Sequence, residues 1–249
     1  MASTLDWLSA RPIAHRGLHD AAHAVIENTS AAVRAAIAAG YGIEVDLQIS
    51  ADGEAMVYHD DVLGRLTEGE GRLDTLSAAQ LKHIPYRGGD ERMLTLGELC
   101  DLVGGRVTVL AELKSRFDGD TRLAERVAKV LANDRGSVAL MSFDPWQVAL
   151  LRQKSPHLAR GIVAAKYRPH PYWDRMSPSM RFGMGYLLTA LTARPDFVAY
   201  AVADLPAAAP LLARHVFGLP LLTWVVRTHA EQRCAKRWAD QMIFEGFRP

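Results

Sequence analysis

Short apolar runs alternate with capped helical patterns along the whole chain, and this alternation limits the fold more than any other feature. Capping signals stand between the runs, such as the Thr95–Glu98 box and the Asp144-Pro145 pair. Such an alternation is typical of a parallel sheet covered by helices. The strand-like runs are Arg11–Gly17, Tyr41–Ile49, Glu54–His59, Arg106–Lys114, Ser137–Phe143, Leu158–Ala165, Phe197–Val202, Pro220–Arg227 and Gln241–Glu245.

The number of runs and the chain length favour an α/β fold, a TIM-type (β/α)8 barrel. Eight strands close such a barrel, whose usual size is about 250 residues, and this chain has 249. The surplus run is Glu54–His59, because only about eight residues separate it from Asp46, too few for a crossover helix. We expect it to be the second arm of a hairpin at the barrel rim. An open, doubly wound sheet is the alternative, although no Gly-rich phosphate loop follows the first run.

Two connections are longer than the alternation requires. Residues 60–94 follow the His59 strand and are predicted to be a short insertion within one domain spanning residues 1–249. The segment Lys166–Met180 is rich in arginine, proline and aromatic residues. Long connections in a compact domain are often functional, so the aromatic side chains of this segment form either a lid over a head group or an ordinary packed surface loop.

Charge and hydropathy exclude several classes of partner. The net charge of +1 gives no reason to expect nucleic acid or an anionic membrane. The longest strongly apolar run, Leu219–Val226, is far shorter than the ~20 residues that span a bilayer. The first eight residues lack the basic and apolar regions of a secretory signal. Cys100 and Cys234 are interpreted as buried, inert thiols. We therefore expect a cytoplasmic protein without a transmembrane segment.

Charged and imidazole side chains stand where the predicted strands end. In a βα barrel these ends form the active-site rim, and residues two apart on a strand point to the same side. Glu44 and Asp46 can therefore point into one site together, and so can Glu112 and Lys114. The full candidate set at these ends is His15, Arg16, Glu44, Asp46, His59, Glu112 and Lys114.

Three converging carboxylates repel one another unless a cation compensates them. Mg²⁺ and Ca²⁺ prefer carboxylate oxygens, so Glu44, Asp46 and Glu112 are predicted to bind one divalent cation, Mg²⁺ or Ca²⁺. The alternative is that each carboxylate pairs with an arginine or lysine. His15 and His59 are the candidates for proton transfer. Six other histidines are interpreted as structural or merely exposed: His19, His23, His83, His157, His215 and His229.

A cation flanked by Arg16, Lys114 and two histidines suits an anionic substrate such as a phosphate ester. The motifs resemble, in order and spacing, those of the glycerophosphodiester phosphodiesterase family, over roughly residues 11–249 and most strongly over 11–115. The motifs that carry the resemblance are His15-Arg16-Gly17, Glu27-Asn28-Thr29, Glu44-x-Asp46 with Asp52-Gly53, His59-Asp60 and Glu112-Leu113-Lys114, with weaker matches at Ser142-Phe143 and Thr223-Trp224.

The resemblance implies a role for each matching residue. It implies His15 and His59 as the acid/base pair, Glu44, Asp46 and Glu112 as metal ligands, and Arg16 and Lys114 as phosphate-binding residues. It also implies that Glu27 and Asn28 shape the first loop, and that Phe143 and Trp224 line the substrate pocket. For two of these residues the alternative is a purely structural role: Asn28 as a plain helix N-cap, and Trp224 as a core residue.

The chain departs from the family pattern in its last two strands. Trp224-Val225-Val226-Arg227 places an arginine where the family usually has an amide, and Phe244-Glu245 replaces the usual Thr-Asp. We expect both changes on the far side of the site, where they bear on the alcohol specificity rather than on the metal and histidines.

The resemblance implies metal-dependent hydrolysis of a small-molecule glycerophosphodiester to sn-glycerol 3-phosphate and an alcohol. A lysophospholipase D-like or sphingomyelinase-like enzyme, whose substrate keeps an acyl chain, is one alternative. A decayed barrel that only binds its ligand is another. The head-group alcohol, the roles of the two histidines and the oligomeric state stay open.

Overall fold

Eight parallel strands close into a barrel in the computed structural model, which describes residues 5–134, 136–168, 173 and 176–249. The first strand pairs with both the second and the last, so the sheet has no break. The predicted barrel is thus confirmed, and the open sheet is wrong. The parallel strands are β1 (Ile13–Ala14), β2 (Gly42–Ile49), β4 (Val109–Leu113), β5 (Val138–Ser142), β6 (Ala159–Ala164), β7 (Phe197–Ala201), β8 (Leu221–Val226) and β9 (Gln241–Phe244).

The surplus strand is β3 (Ala55–Val57), which pairs antiparallel with β2, with Leu47 opposite Val57. The turn between them contains Gly53 at φ +82°, a left-handed conformation that favours glycine. The predicted hairpin arm is confirmed.

Helices connect the strands and cover the outside of the barrel. Several begin at the capping signals read from the sequence, including the Thr95–Glu98 box and Asp144 with Pro145. The helices are α1 (Asp6–Ser9), α2 (Ser30–Ala38), α3 (Ala78–His83), α4 (Leu96–Val103), α5 (Arg122–Val130), α6 (Pro145–Lys154), α7 (Pro178–Gly185), α8 (Ala190–Ala193), α9 (Ala208–His215) and α10 (His229–Trp238).

The core has an inner and an outer layer. Alternate strand residues such as Leu110, Ala199 and Ile243 fill the barrel interior, while their neighbours pack against the helices. Helix α1 lies at the amino-terminal ends of the strands, where the Trp7 carbonyl accepts a hydrogen bond from Thr108. That end is filled, so the carboxyl-terminal ends are the open face of the barrel.

Residues 60–94 include a 3₁₀ turn and α3, and their buried side chains form a separate apolar cluster with β3. Tyr58 and Tyr86 are fully buried in that cluster, with ring centroids 6.3 Å apart. Among all the described residues, no helix is both long and apolar enough to span a bilayer.

Candidate active site

A cavity of about 410 Å³ opens at the carboxyl-terminal ends of the strands. Most of the residues predicted for the site line it together, although they come from six different strands and the loops that follow them. The cavity is lined by His15, Arg16, Glu44, Asp46, His59, Glu112, Lys114, Met141, Phe143, Val163, Trp173, Trp224, Val225, Arg227 and Ile243.

Three buried carboxylates form the acidic end of the cavity. Glu44 and Asp46 lie two apart on β2, and Glu112 on β4 is in register with Asp46. One oxygen from each lies within 4.8 Å of the others, and none of the three residues is more than 7% exposed. The structure thus contains an acidic cluster that could bind a metal ion.

Two cations already contact this cluster. The Lys114 ammonium lies 2.7 Å from Asp46 Oδ1 and 2.6 Å from Glu112 Oε1. Arg16 Nε lies 3.2 Å from Asp46 Oδ2, and the Arg16 backbone N–H donates to Glu44 Oε2 at 3.0 Å. The lysine and arginine pairing considered from the sequence therefore coexists with the convergence of the carboxylates.

The cations do not compensate the three carboxylates equally. Burial and the charges of Asp46 and Glu112 raise the pKa of Glu44 well above its usual range. Burial also acts to raise the pKa of Asp46, but Lys114, His59 and Arg16 outweigh it and the pKa is lowered. The cluster is therefore short of positive charge, most clearly at Glu44, and this favours a divalent cation.

The first loop is held against this cluster by Asn28. Its side chain donates to Asp46 Oδ2 at 2.9 Å and accepts from the Asp46 N–H at 3.3 Å. Asn28 is buried and has a φ of +57°, and the N-cap of α2 is Thr29. The helix-capping alternative for Asn28 is therefore wrong, because Thr29 caps α2. The Asn28 amide instead orients a carboxylate of the cluster.

A chain of ion pairs joins Arg16 to His59. Glu27 Oε1 lies 2.7 Å from both Arg16 Nη1 and Arg65 Nη2, so Glu27 contacts a residue that lines the cavity, Arg16, without lining it itself. Arg65 Nε then lies 2.6 Å from Asp60 Oδ2, and Asp60 Oδ1 lies 2.7 Å from His59 Nδ1. Although burial opposes it, hydrogen bonds from His59 and Arg65 lower the pKa of Asp60 to about 2. Arg65 was not identified from the sequence.

His15 stands between two carboxylates on opposite edges of its ring. Its Nε2 lies 4.0 Å from Glu44 Oε2, and its Nδ1 lies 2.5 Å from Glu245 Oε2. Arg227 Nε contacts the other oxygen of Glu245 at 2.6 Å. The expectation that Glu245 lies on the far side is wrong, because barrel closure puts the end of β9 beside β1: the His15 N–H donates to the Phe244 carbonyl.

Burial lowers the pKa of His15, against the hydrogen bond that its ring donates to Glu245, which acts to raise the pKa. Burial acts to raise the pKa of Glu245, but the hydrogen bond from His15 and the neighbouring imidazole of His19 outweigh burial, and the pKa of Glu245 is lowered. At neutral pH the carboxylate is therefore charged and accepts the Nδ1–H of His15.

Aromatic rings form the wall opposite the carboxylates. The Phe143 ring lies 5.4 Å from those of Trp173 and Trp224, and the Tyr167 ring lies 4.9 Å from Trp173. Trp224 is partly exposed at the cavity, and its Nε1 donates to the Ala199 carbonyl, so it is not simply a core residue. His170 and Tyr172 of the same segment lie outside the described residues.

Comparison with known proteins relates this chain to one family. The model of the glycerophosphoryl diester phosphodiesterase family matches residues 15–245. A glycerophosphodiester phosphodiesterase of Caldanaerobacter subterraneus is 32% identical over 68% of this chain and 78% of its own length. Glycerophosphodiester phosphodiesterase 1 of Mus musculus is 28% identical over 63% of this chain and 49% of its own length. This chain thus spans only about half of the mammalian relative.

Solved structures share the barrel at lower identity. A phosphodiesterase of Oleispira antarctica, solved with the product sn-glycerol-3-phosphate, superposes with a TM-score of 0.77 and 20% identity over 96% of this chain and 94% of its own. A glycerophosphodiester phosphodiesterase of Thermotoga maritima gives 0.69 and 22%, over 93% and 92%. These likenesses concern the fold.

Proposed function

Because the chain belongs to the glycerophosphoryl diester phosphodiesterase family, we propose that it hydrolyses glycerophosphodiesters to sn-glycerol 3-phosphate and an alcohol, in a metal-dependent reaction. One observation carries the proposal: His15 and His59 line the same cavity as the converging carboxylates of Glu44, Asp46 and Glu112. A phosphodiester needs compensation of its charge and two proton transfers, and this cavity offers groups for both.

The three carboxylates would hold the divalent cation. They offer only oxygen ligands, which suits Mg²⁺ or Ca²⁺ rather than a softer ion. When bound, the cation would compensate the charge of the phosphoryl oxygens. Lys114 and Arg16 contact the same cluster, and their side chains would bind the remaining phosphate oxygens. Glu27 and Asn28 would act by holding Arg16 and Asp46 in place.

The two histidines would carry the protons. One deprotonates the attacking water, or the neighbouring glycerol hydroxyl, and the other protonates the leaving alkoxide. Each ring is oriented through its Nδ1, His15 by Glu245 and His59 by Asp60. A carboxylate at Nδ1 fixes the tautomer and leaves Nε2 for exchange with substrate. Phe143 and Trp224 would contact the alcohol or glycerol moiety.

The test is a panel of glycerophosphodiesters assayed for glycerol 3-phosphate release, before and after treatment with EDTA. We expect release from at least one diester, its abolition by EDTA, and its recovery with Mg²⁺ or Ca²⁺. The matched variant is Asp46→Asn, which keeps the shape of the cluster but removes one charge, and should need more metal for the same rate. Full activity in a metal-stripped sample contradicts metal dependence.

A substrate that keeps an acyl chain is a second candidate, favoured by a groove of about 690 Å³ beside the cavity, which is lined by aromatic rings and by the cations Lys166, Arg168 and Arg181. Four large apolar side chains stand exposed around α7 and α8, namely Phe182 at 59%, Tyr186 at 58%, Leu188 at 54% and Leu191 at 80%. Tyr167 lines this groove and packs on Trp173 of the main cavity. Choline release from lysophosphatidylcholine, compared with glycerophosphocholine, separates the two substrates.

We further propose that residues 1–249 form one domain with 60–94 as an insertion, and that the protein is cytoplasmic. A single cooperative unfolding transition and fractionation of cells that express the chain would test these two points.

A further inference from the structure

A second group of potential metal ligands lies on the other edge of His15. His15 Nδ1, His19 Nε2 and Glu245 Oε2 all lie within 4.8 Å of one another. Glu245 is the common neighbour, at 2.5 Å from His15 Nδ1 and 3.5 Å from His19 Nε2. Its other oxygen contacts Arg227, which leaves Oε2 turned toward the two imidazoles.

His19 has no hydrogen-bond partner for its Nε2 within the described chain, although this atom is buried. The 3.5 Å separation from Glu245 Oε2 is too long for a well-formed hydrogen bond. His19 and Glu245 also line a separate cavity of about 590 Å³, beside the one that contains the carboxylate cluster. Two of the three proposed ligands therefore border a cavity that is separate from the carboxylate cluster.

The ligand chemistry of this group differs from that of the carboxylate cluster. Two imidazole nitrogens and one carboxylate suit Zn²⁺ and similar transition-metal ions, whereas Glu44, Asp46 and Glu112 suit Mg²⁺ or Ca²⁺. Ligand atoms 2.0–2.1 Å from a tetrahedral ion are ~3.3 Å apart. The His19–Glu245 separation already matches this value, and the His15–Glu245 pair must open by about 0.8 Å.

We propose that His15, His19 and Glu245 form an inhibitory site for Zn²⁺ or a similar ion. The inhibition rests on the proposed function, because it acts through the proton transfer assigned to His15. Coordination through Nδ1 leaves the one proton of the neutral imidazole on Nε2, which then has no lone pair to accept another. The doubly protonated ring cannot bind the ion at all. The ion thus blocks His15 whether it serves as base or as acid.

The test titrates Zn²⁺ into the enzyme saturated with Mg²⁺, with calorimetry to measure binding and turnover to measure inhibition. Co²⁺ is the spectroscopic probe, since its visible absorption reports nitrogen ligation. The variant is His19→Asn, whose turnover without Zn²⁺ reports whether it is folded. The matched control is His23→Asn. His23 is an exposed histidine of the same loop, and its side chain pairs with Asp20.

We expect Zn²⁺ to lower turnover of the native chain by ~10²-fold at saturation, the usual worth of a positioned acid or base. His19→Asn should need at least ~10-fold more Zn²⁺ for half-inhibition, as expected for loss of a group that supports a metal, and His23→Asn should match the native chain. Equal Zn²⁺ binding by the native chain and His19→Asn overturns the site. Binding that depends on His19 but leaves turnover unchanged supports the site and overturns the proton-transfer role of His15.

Discussion

Replacement of Glu245 by glutamine tests whether the carboxylate on His15 controls proton transfer. The side chain keeps its size but loses its charge, and its amide can present an N–H to Nδ1 instead of an acceptor. The contact is 2.5 Å long, and a hydrogen bond to a charged group contributes about 1.5–3 kcal/mol. That range corresponds to a loss of roughly 10- to 150-fold in kcat for Glu245→Gln, provided that the interaction is needed in the transition state.

The assay is release of glycerol 3-phosphate at saturating substrate and metal. Arg227→Gln is the control, because Arg227 is 55% exposed in its contact with Glu245. An exposed ion pair contributes at most about 1 kcal/mol, so we expect less than a ~6-fold loss there.

A pH profile distinguishes this role from simple packing. Burial lowers the pKa of His15, while the hydrogen bond and charge of Glu245 act to raise it. Removal of the charge should therefore lower the pKa of His15 further, and the corresponding limb of the kcat/KM profile should move to lower pH. A kcat for Glu245→Gln within twofold of the native value, or a limb that moves to higher pH, would refute the reasoning.

Three further predictions concern the histidines, the aromatic wall and the barrel interior. His15→Ala and His59→Ala should each lower kcat by at least ~10²-fold, with little change in the unfolding midpoint; near-native kcat in either variant removes that residue from the mechanism. Trp173→Ala should lower kcat/KM for glycerophosphocholine more than for glycerophosphoglycerol, since a cation gains ~0.5–2 kcal/mol from an aromatic face; equal effects on both mean that the ring does not contact the head group. Gly161→Ala should destabilise the fold by about 1–3 kcal/mol in urea unfolding, because the new Cβ would lie 2.2 Å from a core phenylalanine ring. Gly183→Ala is the control: its Cβ would meet only one atom, at 4.0 Å, so the stability should be unchanged or higher.

The strands could be predicted because each is buried and apolar and lies between capped helices. The short connection between Asp46 and β3 excluded a crossover helix, and this identified the second arm of a hairpin. The first strand was predicted too long, since Arg11–Gly17 contains only two strand residues, Ile13–Ala14. Arg16 and Gly17 turn the chain with φ of 55° and 78°. A left-handed arginine has no sequence signature, because the conformation is imposed by its contacts with Glu44 and Asp46.

The site residues could be predicted where the alternation of side-chain direction along a strand decides which residues point to the same side. The spacing of Glu44 and Asp46 places both on one side of β2, and the parallel pairing of β4 with β2 brings Glu112 beside them. Arg65 could not be found in this way. It joins Glu27 and Asp60 through a loop, and the partners are 38 and 5 residues away in sequence. Nothing in the local pattern distinguishes such an arginine from an ordinary exposed one.

Arg227 and Glu245 depart from the family pattern as one unit rather than as two separate changes. They lie at the ends of neighbouring strands, β8 and β9, and their side chains form an ion pair at 2.6 Å. The same carboxylate contacts Nδ1 of His15. A change at the end of β9 therefore alters the group that orients a proposed acid/base residue, and the arginine supplies the compensating charge on its exposed side. In the proposed mechanism, these two positions therefore bear on proton transfer at His15 first, and on the alcohol only through the part of Arg227 that lines the cavity.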